Sequence, residues 1–444
     1  MMLRLAWYGD DFTGATDTLR VAAQAGLRSL LFLEVPGAAQ LEDAGPLDAL
    51  GIAGAARTMS PMQMEAELGR VGRFFRDRKV PIVHYKCCST FDSSPEIGSI
   101  GAATGVLRAY VDNPTTVLLG GQPDIGRYCC FGNLFAAAGA GGEVYRLDRH
   151  PTMKNHPVTP MAEGDLRQHL AHQGLAPMSN VPYTAYGLAE QGLDDLVDAM
   201  IAREGKARSI LFDVADASHL LSAGRQLDRQ SRRASVLAVG SSVVVQALAA
   251  WWAQAGADKG LPVAGAAATP RAAPRLGPVF ALAGSMSPVT ARQVARAESY
   301  QKIPLNGAGL LRDAAYVDTQ LARIGALLNE GRHVLAYVEH VNGEASRLDP
   351  GKLAFATADF IKRVVGERAS NGTPLQRLGV AGGDTSSRAA KALDIWALSF
   401  VDGLAPGVAL CRAHSNDPQL NGLQLMLKGG QMGGDDIFER LLLA

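Results

Sequence analysis

The 444-residue sequence lacks a charge bias of either sign: 43 lysines and arginines face 43 aspartates and glutamates. No basic field points to nucleic acid, and no acidic tail suggests a solvating segment. No apolar run approaches the roughly 18 residues of a membrane helix. The first strand pattern starts within three residues of Met1, which leaves no room for a signal peptide, so a cytoplasmic protein without a membrane partner is expected. Only five cysteines occur, Cys87-Cys88, Cys129-Cys130 and Cys411, with neither C-x-x-C nor zinc spacing, which predicts reduced thiols. Two nucleotide signatures are also missing. The absence of G-x-x-x-x-G-K-[ST] excludes a P-loop enzyme, and no G-x-G-x-x-G follows a strand and opens a helix, which counts against a standard dinucleotide fold. There are no low-complexity tracts, heptads or repeats.

What the sequence does have is glycine, 49 of 444 residues or about 11%, against an average of roughly 7%. Many glycines follow short apolar runs, where a backbone turns tightly or approaches a ligand. Those runs (Leu3 to Tyr8, Leu30 to Glu34, Ile82 to Cys87, Thr116 to Gly120, Ser209 to Phe212, Ser235 to Val239) alternate with helical patterns such as Met62 to Arg76 and Asp194 to Arg203. Such alternation predicts α/β architecture with largely parallel sheets. Residues 254–278 lose periodicity and fill with Ala, Gly and Pro, so they read as a linker. Alternation then restarts with Val279 to Ala283, His333 to Val338, Leu378 to Ala381, Ala397 to Val401 and Leu423 to Leu427. Two α/β domains follow, 1–255 and 277–444, consistent with a length prior of two or three.

The chemistry is concentrated where strands hand over to helices. In "LAWYGDDFTGATD" the turn Gly9 to Gly14 carries Asp10 and Asp11, at the sheet edge where open parallel sheets bind ligands; acidic turn formers and caps are the plain alternative. In "IVHYKCCSTFDSS" Lys86 ends a strand and Ser89, Thr90, Ser93 and Ser94 follow, a set suited to hold a carboxylate or phosphate. In "VLAVGSS", Ser241 and Ser242 read more simply as helix caps. The second half is richer. Gly284, Ser285 and Ser287 precede a helix near Pro288; Gly382, Gly383, Asp384, Thr385 and Ser386 precede another; Gly429, Gly430, Gly433 and Gly434 precede Asp435 and Asp436. Paired glycines free backbone N–H groups for a polyphosphate, and hydroxyls beside an aspartate suit its magnesium. Three such loops in one domain point to a nucleotide. His169 and His172 lack an acidic partner at ligand spacing and are expected at the surface. In "NHPVTPMAEGDLRQHL", Thr159 as cap and Pro160 as first helical residue predict a helix start.

The ordered set "GDDFTGATD", Tyr85-Lys86 to Thr90, "HPVTPM", "GSMSP", "GGDTSS" and "LKGGQMGGDDIF" resembles the four-carbon acid sugar kinase family over nearly the whole chain. The resemblance implies an N-terminal domain for a small sugar acid, a C-terminal domain for ATP with Mg2+, and an active site in the cleft between them. It implies acid contacts from Asp10 or Asp11, Arg57, and Lys86, Cys87, Cys88 and Ser89, with one aspartate, Asp11 favoured, as the base. It also implies ATP contacts from Ser285 or Ser287, Gly382, Gly383, Asp384 and Thr385, and Gly430 or Gly433. Tetronate-type members read Lys-x-Asp-Ser-Thr-Leu-Arg-Gly where this chain has "KCCSTFDSS", so the acid stays open among tetronates, 3-oxo-tetronates and branched 3-oxo-isoapionate. The metal ligands and homo-oligomerisation are not specified by these motifs. The residues alone also admit a nicotinamide-dependent sugar-acid oxidoreductase, or a sugar-acid sensor without turnover.

Overall fold

Leu5–Gly9 is buried at every residue, as a strand covered on both faces requires. The computed structural model describes residues 3–139, 141–156, 158–203, 208–257, 277–339 and 348–444. Its first strands are β1 (Leu5–Gly9), β2 (Ser29–Phe32), β3 (Ala49–Ala53), β4 (Ile82–Lys86), β5 (Thr115–Gly120), β6 (Arg127–Cys130), β7 (Asn133–Ala137), β8 (Val144–Arg146), β9 (Met178–Val181), β10 (Arg208–Asp213) and β11 (Val236–Gly240). Then come β12 (Phe280–Ala283), β13 (Gln301–Leu305), β14 (Val334–Val338), β15 (Arg377–Ala381), β16 (Ile395–Ala405), β17 (Val408–Ser415) and β18 (Gln424–Lys428). The chain divides into two units: Met1–Ser29 with Gly37–Ala267, and Leu30–Pro36 with Ala268–Ala444. Most of the expected linker, at 258–276, lies outside the described residues.

Unit 1 holds parallel strands in the order β3-β1-β4-β11-β5-β10-β9, together with a small antiparallel sheet β6-β7-β8. From β1 the chain winds to β3 on one side and then crosses to β4 on the other. The order therefore reverses between β1 and β4, and such a switch point opens a crevice at the carboxyl ends of the strands. Asp10 and Asp11 follow β1, and Lys86 ends β4.

Unit 2 repeats the logic. β13-β14-β12-β15-β18 are parallel, and β17, β16 and β2 extend the sheet antiparallel. Here the reversal falls between β12 and β15, so the loops beginning at Gly284 and Gly382 flank it. The segment Leu30 to Glu34, expected among the strands of the first half, instead supplies β2 to unit 2, where Phe32 stacks on Trp396 at 5.8 Å. Its uninterrupted apolar run fits any buried strand, so composition could not say which sheet it joins.

Among the described residues no helix is long and apolar enough to cross a membrane. All five cysteines are free.

Candidate active site

The turn after β1 is shorter than the sequence suggested. The helix Phe12–Gln24 already includes Gly14, because Asp11 is its N-cap: extended at φ −141°, it accepts the Gly14 N–H at 3.0 Å. That cap leaves the second Asp11 oxygen for Arg57 Nη1, 3.2 Å away. The backbone of Asp10 is fixed twice, donating to the Lys86 carbonyl at 2.9 Å and accepting from the Arg57 N–H at 3.1 Å. Its carboxylate takes Arg57 Nε at 3.3 Å and Nη2 at 3.1 Å, a two-pronged pair. Lys86 Nζ reaches Asp11 at 3.3 Å and Asp10 at 3.8 Å. It passes directly over the helix start, where a Cβ on Gly14 would lie 1.6 Å from Nζ; only glycine leaves room.

These four side chains form a neutral quartet, two carboxylates against two cations. Lys86 is therefore buried and paired within the protein rather than a solvated strand-end lysine. Burial disfavours the Lys86 charge, yet Asp11 and Asp10 outweigh it and raise the ammonium above its ordinary value. Burial would likewise raise Asp11, but Arg57 and Lys86 prevail and hold that carboxyl below its usual range. For Asp10 burial wins and its carboxyl is raised. The side chain of Asp11 is 28% exposed and that of Asp10 only 5%, so Asp11 is the more accessible carboxylate of the pair.

Cys87 is sealed in the core, its N–H donating to the Gly240 carbonyl at 2.9 Å. Cys88 Sγ lies 2.9 Å from Thr90 Oγ1, which donates to Asp92 at 2.5 Å. Burial pushes both thiols up, so they are protonated at neutral pH. Ser89 is half-buried on the same turn. Two expectations nearby fail. His169 is buried, within 3.0 Å of Ser93 Oγ and 3.1 Å of the Phe91 carbonyl, although His172 is exposed as expected. Of the polar groups that meet it, Ser93 and Phe91 come from a loop more than 70 residues away, and Gln173 from the next turn at 3.1 Å. Nor does a helix start at Pro160: Asp165 caps Leu166–Ala171, and the Thr159 hydroxyl meets His156 Nδ1 at 3.0 Å.

In unit 2 the three glycine loops interlock. Gly284 and Ser285 donate to the Ala381 carbonyl at 2.9 and 3.1 Å, and Gly382 donates to the Lys428 carbonyl at 2.9 Å. A Cβ on Gly284 would sit 2.5 Å from Thr385 Oγ1, and one on Gly430 2.2 Å from Ser285 Oγ. Gly382, at φ 132°, and Gly433, at φ 84°, hold backbone that favours glycine. Ser287 caps the helix Pro288–Arg296 and donates to the Gly430 carbonyl at 2.6 Å, so its hydroxyl is engaged within the protein. Gly383 opens the helix Gly383–Ala392, and among the described residues nothing beyond its chain neighbours and its own helix backbone lies within 4 Å of where its Cβ would be. The side chain of Asp384 lies outside the described residues.

Sequence reasoning missed Thr290 and Gln293. Thr290 donates to the Gly430 carbonyl at 2.8 Å, and Gln293 Nε2 reaches the carbonyls of Met432, Gly433 and Gly434 at 3.0, 2.9 and 3.1 Å. The i, i+3, i+6 spacing of Ser287, Thr290 and Gln293 was the available signal, a polar line on one helix face.

Lys428 is fully buried at the foot of the third loop, donating to the Gly429 carbonyl at 2.9 Å, with no carboxylate within 4 Å among the described residues. Burial pushes its ammonium down to about 8. Below that pH the folded state holds a desolvated charge; above it the folded chain releases the proton that the unfolded chain keeps until about pH 10.4, so stability rises across that window. Lys428→Met should therefore raise the melting temperature of unit 2 at pH 7 by several degrees, and the advantage should fade between about pH 8 and 10.4. Calorimetry of both proteins at the two ends of that range checks it, and a pH-independent difference would contradict the assignment.

Comparison with known proteins accords with this division. A sugar-binding N-terminal domain matches residues 5–248 and a nucleotide-binding C-terminal domain matches 280–438. The chain is 37% identical to the 3-oxo-isoapionate kinase of Paraburkholderia graminis, over 98% of this chain and 93% of that one. It is 32% identical to the 3-oxo-tetronate kinase of Methylobacterium radiotolerans, over 100% and 99%. In fold it is similar to the Haemophilus influenzae protein HI1011, at a TM-score of 0.74, 22% identity and 98% coverage of both chains. It also resembles a protein from Salmonella typhimurium LT2 described as a putative tRNA synthase, at a TM-score of 0.79, 22% identity and coverage of 99% and 98%.

Proposed function

The chain belongs to the four-carbon acid sugar kinase family, and from that premise we infer that it transfers the γ-phosphoryl group of ATP to a terminal hydroxyl of a small sugar acid. The observation that carries this reading is the content of the two switch points: unit 1 presents an accessible, ionised carboxylate, and unit 2 presents three interlocked glycine loops. Phosphoryl transfer asks a protein chiefly to position its groups and neutralise charge. The free N–H groups at the start of the helix Gly383–Ala392 suit the phosphates. Magnesium carried by the polyphosphate supplies further neutralisation, and the hydroxyl oxygens of Ser285 and Thr385 are hard donors that suit its water shell. In unit 1, Asp11 accepts the proton of the acceptor hydroxyl, while Arg57 and Lys86 hold it ionised.

Of the candidate acids, 3-oxo-isoapionate ranks first because the relative acting on it shares the higher identity, with 3-oxo-tetronate next. ADP release measured across four- and five-carbon sugar acids tests the reading. The expected result is turnover with one 3-oxo acid, dependent on Mg2+; no ADP release with any acid would overturn it.

A further inference from the structure

β5 ends in "GGQPDIGR", where Gln122 and Arg127 face each other across a tight turn. Their backbones exchange two hydrogen bonds, Gln122 N–H to the Arg127 carbonyl at 2.8 Å and Arg127 N–H to the Gln122 carbonyl at 3.1 Å. Residues paired in this way extend their side chains from the same side of the ribbon. Among the described residues both present a buried donor without a partner, Gln122 Nε2 and Arg127 Nε. Gln122 is only 1% exposed.

Arg127 differs from the other cations at this sheet edge. The charges of Arg57 and Lys86 are answered by Asp10 and Asp11, whereas no carboxylate among the described residues pairs with Arg127. Its Nη1 is held by the carbonyls of Ile125, Gly126 and Ala137, at 3.0, 3.2 and 3.4 Å, which fixes the guanidinium in place. Burial disfavours its charge. Native proteins rarely leave buried donors unmet, and two on facing residues, one of them an uncompensated cation, describe a site for an oxyanion.

We propose that Gln122 Nε2 and Arg127 Nε form a carboxylate-binding subsite at the carboxyl edge of the unit 1 sheet, and that it takes the carboxylate of the sugar acid. The proposal rests on the sugar-acid kinase reading and assigns recognition of the carboxylate to Arg127, whose charge is not already answered as those of Arg57 and Lys86 are. Specificity for an acid over a neutral sugar then resides in this turn, while the quartet attends to the hydroxyl.

The test uses the full chain and three proteins: wild type, Gln122→Leu, which breaks no side-chain hydrogen bond among the described residues, and Arg127→Met. KM for 3-oxo-isoapionate should rise about 5- to 20-fold in the first variant and about 30-fold or more in the second, in line with a neutral and a charge-assisted bond. KM for ATP and the melting temperature of Gln122→Leu should not move, and the primary amide of the acid should lose far less than the acid does. Equal losses for acid and amide, or an unchanged KM in Gln122→Leu, would overturn the subsite. Should Arg127→Met fail to fold, Gln122→Leu decides alone. Thermal stabilisation by the sugar-acid series without nucleotide separates the two readings. Stabilisation of wild type that the variants lose, with no ADP release, would sink the kinase and keep the subsite; ADP release with equal stabilisation of all three would do the reverse. No stabilisation of wild type by any acid would overturn the subsite.

Discussion

Asp11→Asn is expected to lower kcat by about 10²- to 10⁴-fold, the range for removing a general base, while the nucleotide Kd stays within about twofold. The substitution isolates chemistry from folding. Asparagine is as good an N-cap as aspartate, so its amide oxygen can keep the Gly14 N–H and the helix Phe12–Gln24 keeps its start. Lys86 and Arg57 retain Asp10 as a partner. What disappears is the more accessible carboxylate of the pair. Because Arg57 and Lys86 hold the Asp11 carboxyl below its usual range, it remains ionised from about pH 5 to 8, and kcat/KM should show no acid limb from this group there. Stopped-turnover assays of both single variants settle the assignment. If Asp11→Asn works normally and Asp10→Asn is dead, the roles are reversed; if both work, the pair is structural.

How much of this was legible beforehand depends on whether an interaction is local. The strand-turn-helix units were readable because apolar runs and glycine turns are written in consecutive residues, and β1, β4, β12 and β15 fall where those runs predict. The ordered motifs likewise carried the family. Pairings over long separations were not readable. Nothing in "YKCC" shows that Lys86 meets Asp11, 75 residues earlier, and so an isolated-looking cation is one half of a neutral quartet. Nothing in "SLLF" shows that β2 pairs with β16, more than 360 residues later. The Gly-rich turn after β5 carried the same strand-then-glycine signature as the others. Neither of its donors, Gln122 and Arg127, belongs to a recognised phosphate or acid pattern; only their burial without partners among the described residues sets them apart.

Gly383→Val is the sharpest test of unit 2, because here the reason for glycine is space rather than strain. At Gly284, Gly382 and Gly430 a side chain would collide with neighbouring loops or force an unfavourable φ, so variants there confound binding with folding. Gly383 is different: it is the first residue of a helix, and among the described residues no atom beyond its chain neighbours and its own helix backbone lies within 4 Å of its would-be Cβ. Valine there costs no more in helix propensity than glycine, so the melting temperature of the free protein should be unchanged. The open volume adjoins backbone N–H groups at the helix start that have no carbonyl four residues back within the helix, the place where a phosphate would be held. Filling it with a branched side chain should raise the ATP Kd by at least about 100-fold, since losing two or more charge-assisted bonds exceeds 2.7 kcal/mol. Binding of the sugar acid alone should survive. Calorimetric titration of each ligand into the variant, with its melting curve alongside, reads all three quantities, and an unchanged ATP Kd in a folded Gly383→Val protein would remove this loop from the nucleotide site.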